Sequence, residues 1–158
     1  MDEIRPGLWT WTGEHPEWTP EMTWGPEVRS YAVQIEDKTY LIDPVQPAPS
    51  ADGILLTVPW HRRAADEIGV AVLDDPPQGI ETRPGYFAEE RVYWIPAFKA
   101  IVIGDAFMDG DTPPFEWASD DPDASNRLAA LLELPFELVL PTHGDVTDRA
   151  AFEASIAE

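Results

Sequence analysis

The chain has 158 residues, 44% of them hydrophobic and 11% aromatic, enough to bury one core and too apolar for wholesale disorder. Thirty acidic residues against ten basic ones leave a net charge of −20, a field that repels phosphate backbones and anionic lipid, so nucleic acid and membrane are excluded as partners. Cysteine is absent, which removes disulfides, thiol nucleophiles and cysteine zinc ligands together.

Gly7-Leu8-Trp9-Thr10-Trp11 reads as a short strand, because Thr and Trp suit a half-buried pleat. Residues 13–26 carry Pro16, Pro20 and Pro26 beside Trp18 and Trp24 and read as a loop. Residues 31–36 alternate apolar and polar, and Glu36-Asp37-Lys38 turns them into 39–42, so a hairpin is predicted, closed by Asp43-Pro44. The run Ile54-Leu55-Leu56-Thr57 sits between Gly53 and Pro59, as a strand covered on both faces would. Residues 62–68 suit a helix stopped by Gly69, and 70–73 a further strand.

A second hairpin is predicted from 91–95 and 100–103 around Pro96-Ala97-Phe98-Lys99. Residues 108–123 form a long acidic loop. Asp121-Pro122 places a cap and a first-turn proline before a helix through Leu132, 138–140 are the last strand, and 147–157 the last helix. Strands and helices interleave without a repeat or linker, which predicts one α/β domain over 1–158. No apolar run approaches the ~20 residues of a membrane span, and Met1-Asp2-Glu3 opens acidic, so a cytoplasmic protein is expected.

Three apolar runs end in polar clusters: Leu41-Ile42-Asp43, Ile103-Gly104-Asp105, and Leu140-Pro141-Thr142-His143-Gly144. Open α/β sheets bind ligands beyond the carboxyl ends of their strands. Two carboxylates and a histidine at such ends fit a metal site, but turn aspartates are common, and residue type alone favours a pair of turn-capping aspartates with a hydrogen-bonded loop histidine.

The order and spacing of these segments resembles the metallo-β-lactamase fold superfamily over most of the chain. The resemblance rests on the Leu-Ile-Asp, Ile-Gly-Asp and Pro-Thr-His-Gly pieces, the Ile54-Leu55-Leu56-Thr57 run, and Gly85 followed by Val92 to Pro96. It implies a reduced αββα four-layer arrangement. It also implies a Thr-His-x-His-x-Asp-His motif after the buried strand, where this chain has Thr57-Val58-Pro59-Trp60-His61-Arg62-Arg63. Val58, Trp60 and Arg63 then occupy histidine positions, Arg62 the aspartate position, and Tyr86 the position of a further histidine. Asp105 and His143 remain on metal-contacting positions, with Asp43 as a supporting carboxylate.

Zinc or iron needs lone-pair donors. Valine has none, indole offers only an N–H, and guanidinium is a cation without an acceptor. At an effective dielectric near 20, a guanidinium ~5 Å from a dication is repelled by ~6–7 kcal/mol, about half of what a structural zinc site gains on binding. A metal-free and non-catalytic protein is therefore expected, with no cofactor. The alternative is a hydrolase of ester, thioester or phosphodiester bonds that uses Asp105 and His143 as a base and its orienter, or as metal ligands with His61 shifted by one residue.

No Gly-x-Ser-x-Gly elbow or glycine-rich phosphate loop offers another route to catalysis. Arg62 and Arg63 fall at the predicted start of a helix, where they can hold a carboxylate or phosphate, or else pair with Asp43, Asp66 or Asp105. The candidate ligand-binding set is Asp43, Trp60, His61, Arg62, Arg63, Tyr86, Asp105 and His143. The partner is a small anionic molecule or a protein, a second copy of the chain included. Trp9, Trp11, Trp18, Trp24, Trp60, Tyr86 and Trp94 can ring the cleft, but most of them are expected in the core, while Trp18 and Trp24 are candidates for a lid or partner surface.

Overall fold

The computed structural model describes residues 1–108, 110 and 121–157. The acidic loop expected at 108–123 falls mostly outside these residues. By internal contacts the chain divides into two compact units, Met1–Pro76 and Pro77–Glu158, each built around one five-stranded mixed sheet.

The first unit runs β1 (Asp2–Arg5), β2 (Leu8–Glu14), β3 (Glu27–Ile35), β4 (Lys38–Ile42) and β5 (Gly53–Leu55), in that spatial order. The first three pairings are antiparallel, and β5 joins β4 in parallel with Leu41 opposite Ile54. Buried polar groups on these strands are satisfied. The Thr10 hydroxyl donates to the Ser30 carbonyl at 2.9 Å, and the Trp11 indole N–H donates to the Val45 carbonyl at 3.0 Å. Trp11, Val28, Ala32, Leu41 and Ile54 make the core, with Trp9 and Trp24 packed on its edge.

The sequence expectations need two corrections here. Residues 70–73 are not a strand: Val72 makes one isolated parallel bridge to Ile54, because the segment lies half outside the core and runs straight into Pro76-Pro77, which lack N–H donors. The helix expected over 62–68 is a 3-10 turn (Pro59–Arg62) followed by the four-residue helix α1 (Ala65–Ile68), closed by Gly69 at φ 74°. Arg62 and Arg63 thus precede the helix instead of opening it.

In the second unit the strands are β6 (Glu81–Pro84), β7 (Arg91–Ile95), β8 (Ala100–Gly104), β9 (Leu138–Pro141) and β10 (Thr147–Asp148), in the order β10-β9-β8-β7-β6. Strand β6 is absent from the sequence reading because three of its four residues are charged or proline, the composition of a protected sheet edge. Helix α2 spans Ala124–Ala130, shorter than the helix read from Asp121-Pro122, and a 3-10 turn (Leu131–Glu133) continues it. Thr147 and Asp148 pair with Val139 and Leu138 before α3 (Arg149–Ala157) begins, and the Asp148 carboxylate caps the Ala151 N–H at 3.0 Å.

The core of this unit holds Val92, Trp94, Ile101, Ile103, Phe107, Phe136 and Phe152. Phe152 lies edge-on to Phe107 (5.6 Å) and Phe136 (5.8 Å). Among the described residues no helix is long and apolar enough to cross a membrane. Truncating the fully buried Phe152 removes both ring contacts, so Phe152→Ala is expected to lower the unfolding free energy by about 3–5 kcal/mol, read from the urea midpoint.

Candidate functional site

In the first unit the chemistry gathers on Asp43, which leaves the end of β4 in the left-handed region at φ 48°. Aspartate tolerates that conformation better than most side chains. The turn directs its carboxylate inward, where it is 1% exposed. One oxygen accepts the Thr57 backbone N–H at 2.9 Å; the other accepts the Thr57 hydroxyl at 2.5 Å and faces His61 Nδ1 at 3.0 Å. The Asp43 carbonyl accepts Ser30 Oγ and Arg63 Nη2, both at 2.7 Å. Both halves of the residue are thus tied to the stretch that follows β5, which is why Thr57 has left the strand predicted for it.

Thr57 Oγ1 and Asp43 Oδ2 approach the same His61 nitrogen, at 3.2 Å and 3.0 Å. A nucleophile relay needs the hydroxyl on one imidazole nitrogen and the carboxylate on the other. This arrangement is a hydrogen-bonded brace. His61 is buried, whereas Trp60 beside it on the same turn is 48% exposed. Arg62 turns outward to Asp66 at 2.8 Å, an exposed pair of small energetic weight. Arg63 Nη2 donates to the Asp43 carbonyl. Val58 sits in the core at 1% exposure.

In the second unit, β8 and β9 run parallel and Gly104 stands opposite Pro141, with Thr142 N–H donating to the Gly104 carbonyl at 3.1 Å. Parallel pairing puts both carboxyl ends at the same edge, so Asp105 and His143 emerge side by side. Both are buried, and His143 Nε2 lies 3.5 Å from Asp105 Oδ1, a close approach longer than a well-formed hydrogen bond.

Tyr86 is fixed from two directions that the sequence did not announce. Glu90, 3% exposed, accepts the Tyr86 N–H at 2.8 Å. Arg127 on α2 donates to the Gly85 carbonyl (2.8 Å) and the Tyr86 carbonyl (2.7 Å), and pairs with Asp121 at 2.8 Å. A Cβ on Gly85 would lie 2.4 Å from Glu90 Oε1, so the glycine is required by that carboxylate. The Tyr86 ring packs on the second core and stands edge-on to Phe87 at 5.3 Å. The lone sequence signal for this arrangement was Gly85.

Trp11 and Trp94 are core residues, Trp9 and Tyr86 are half-buried, and Trp60 departs from the core expectation because its 3-10 turn points it outward. Trp18 donates its indole N–H to the Trp24 carbonyl at 2.7 Å, and Trp24 meets His15 edge-on at 5.1 Å, so the loop holds itself together. Among the described residues no three His, Asp or Glu side chains are grouped so as to hold a metal ion.

No family profile and no curated protein matches the sequence. Solved structures do. DIM-1 metallo-β-lactamase superposes with a TM-score of 0.70 at 12% identity over 99% of this chain and 94% of its own. The metallo-β-lactamase of Erythrobacter litoralis gives 0.68 at 13% identity, over 99% and 89%. FIM-1 from Pseudomonas aeruginosa, in a mono-zinc form, gives 0.66 at 15% identity, over 98% and 92%. The chain has the metallo-β-lactamase fold, an α/β architecture of two mixed sheets with helices.

Two outcomes test this description. Asp43→Ala leaves buried donors of Thr57 and His61 facing no acceptor, and is expected to cost about 3–5 kcal/mol in chemical denaturation. Burial, chiefly, raises the Tyr31 pKa well above 10.0, with Asp43 adding to the rise and Arg29 opposing it. The unfolded chain therefore loses this proton first, and stability falls as pH climbs past about 10. Tyr31→Phe should flatten that alkaline loss when unfolding is compared at about pH 9 and about pH 11.

Proposed function

We propose that this is a metal-free, non-catalytic protein of the metallo-β-lactamase fold that binds a small anionic molecule. The observation that carries this reading is how the polar groups of residues 57–63 are spent. The Thr57 hydroxyl and His61 Nδ1 both face Asp43, Arg63 donates to the Asp43 carbonyl, and Val58 is buried in the core. What this stretch presents outward is Trp60 and Arg62, an indole and a guanidinium on one turn. These groups suit a carboxylate or phosphate, and the exposed Asp66 partner is weak enough for a ligand to displace.

The donor set does not fit a zinc or iron centre of the kind the fold family implies. His61 has one nitrogen turned to a carboxylate, and Asp105 with His143 supplies two donors where a catalytic zinc takes three protein ligands. Arg62 and Arg63 add positive charge to the stretch where the resemblance expects ligands. Trp60 and Arg62 are assigned to ligand binding on this reading, with Asp43, His61 and Arg63 bracing the turn that carries them.

A second reading, favoured by the 3.5 Å approach of Asp105 and His143, is a hydrolase in which His143 takes a proton from water and Asp105 orients the imidazole. Elemental analysis of purified protein separates the two in part: zinc, iron and manganese are each expected well below one equivalent, and one or two equivalents would overturn the first reading. Ester, thioester and phosphodiester substrates are expected to turn over no faster with the wild type than with His143→Ala. A wild-type rate that this substitution abolishes would establish the hydrolase.

A further inference from the structure

Residues 13–28 hold Glu14, Glu17, Glu21 and Glu27 and neither lysine nor arginine, in a chain whose net charge is already −20. Two of these carboxylates meet where the 15–26 loop leaves the first sheet. The register of β2 and β3 sets Glu14 directly opposite Glu27 as the last strand pair before the loop, and both residues are exposed. Opposed residues of an antiparallel pair have Cβ atoms about 4.5–5.5 Å apart, and like charges so placed repel. Among the described residues neither glutamate makes an ion pair. Arg29, two residues further along β3, donates to Thr10 Oγ1 at 3.3 Å, on the side away from the loop.

Beyond this pair the loop is closed by its own contacts. The His15 N–H donates to the Pro26 carbonyl at 2.8 Å, while Pro16 and Pro26 have no N–H with which to extend the ladder. Inside the loop the Glu17 N–H donates to His15 Nδ1 at 3.0 Å, and the Trp18 indole N–H to the Trp24 carbonyl at 2.7 Å. An internally braced loop is thus joined to its sheet through a rung that carries two like charges.

We infer that this rung is a salt-dependent latch, which holds the 15–26 loop closed when cations screen Glu14 from Glu27 and frays when ionic strength falls. The screening length shrinks from about 30 Å at 0.01 M salt to about 3 Å at 1 M, across the separation of an opposed pair. Glu17 and Glu21 on the loop add to the field with the same sign. A large net charge weakens a compact state everywhere, whereas the latch places repulsion at one joint. The latch lies outside the turn at 57–63 assigned to ligand binding, so it stands apart from the function proposed above.

The test is amide hydrogen exchange of the full chain at fixed pH, in about 0.05 M and about 1 M sodium chloride, read by peptide mass spectrometry. Each rate is divided by that of the urea-unfolded chain at the same salt. The peptide covering 13–28 is expected to exchange about threefold more slowly at the higher salt, the weight of one exposed like-charge pair. Glu14→Gln and Glu27→Gln are each expected to give that slower exchange already at the lower salt. Asp37→Asn removes the same charge at the exposed turn between β3 and β4, and is expected to leave residues 13–28 as in the wild type. The latch is refuted if salt leaves the 13–28 rate unchanged, or if both glutamine variants keep the wild-type salt dependence. It is refuted equally if Asp37→Asn matches them, since net charge alone would then account for the effect.

Discussion

The first unit depends on one buried carboxylate. A charge at 1% exposure is tolerable only when its lone pairs are filled, and Asp43 fills them from a single neighbouring segment: the Thr57 amide, the Thr57 hydroxyl and His61. Because the donors all come from the chain that follows β5, satisfying the charge and shaping that loop are the same event. The left-handed backbone at Asp43 is the conformational cost, and it is offset by Ser30 and Arg63 on the residue's carbonyl.

Arginine plays a similar part elsewhere. Arg127 grips the Gly85 and Tyr86 carbonyls, and Arg149 grips those of Leu134 (2.6 Å) and Leu132 (2.5 Å) while lying 4.7 Å from the Phe136 ring centre. Each side chain satisfies two loop carbonyls with one rigid fork, which a lysine ammonium does less well. The eight-to-two preference for arginine over lysine thus has a structural use in this chain: scarce cations hold irregular backbone in place. Arg62 and Arg91 stand more exposed than Arg127 and Arg149.

The parallel pairing of β8 with β9 does for the second unit what Asp43 does for the first. It delivers Asp105 and His143 to one edge without any local sequence signal linking positions 105 and 143. Two donors so placed make a buried polar contact. A catalytic zinc takes three protein ligands, one more than this pair supplies, and the outward-facing indole and guanidinium of the first unit are assigned to recognition in the proposed function.

Much of the architecture was legible in local pattern. The alternation at 31–36, the apolar runs at 54–57, 100–103 and 138–140, and the polar residues closing them are properties of neighbouring residues, and periodicity reports such properties directly. The ends were less legible. Thr57 leaves its strand because Asp43 needs its donors, 70–73 stays a single bridge, and β6 exists because β7 offers it a partner. Glu90 and Arg127 gave no signal at all, since a carboxylate and a guanidinium look like solvated surface until the fold places carbonyls and an amide against them. The sequence by itself determined which residue types are on hand: no thiol, three histidines, and guanidinium and indole after the buried strand. Only the tertiary structure decided which of them face inward, because burial and hydrogen-bond satisfaction are settled between segments distant along the chain.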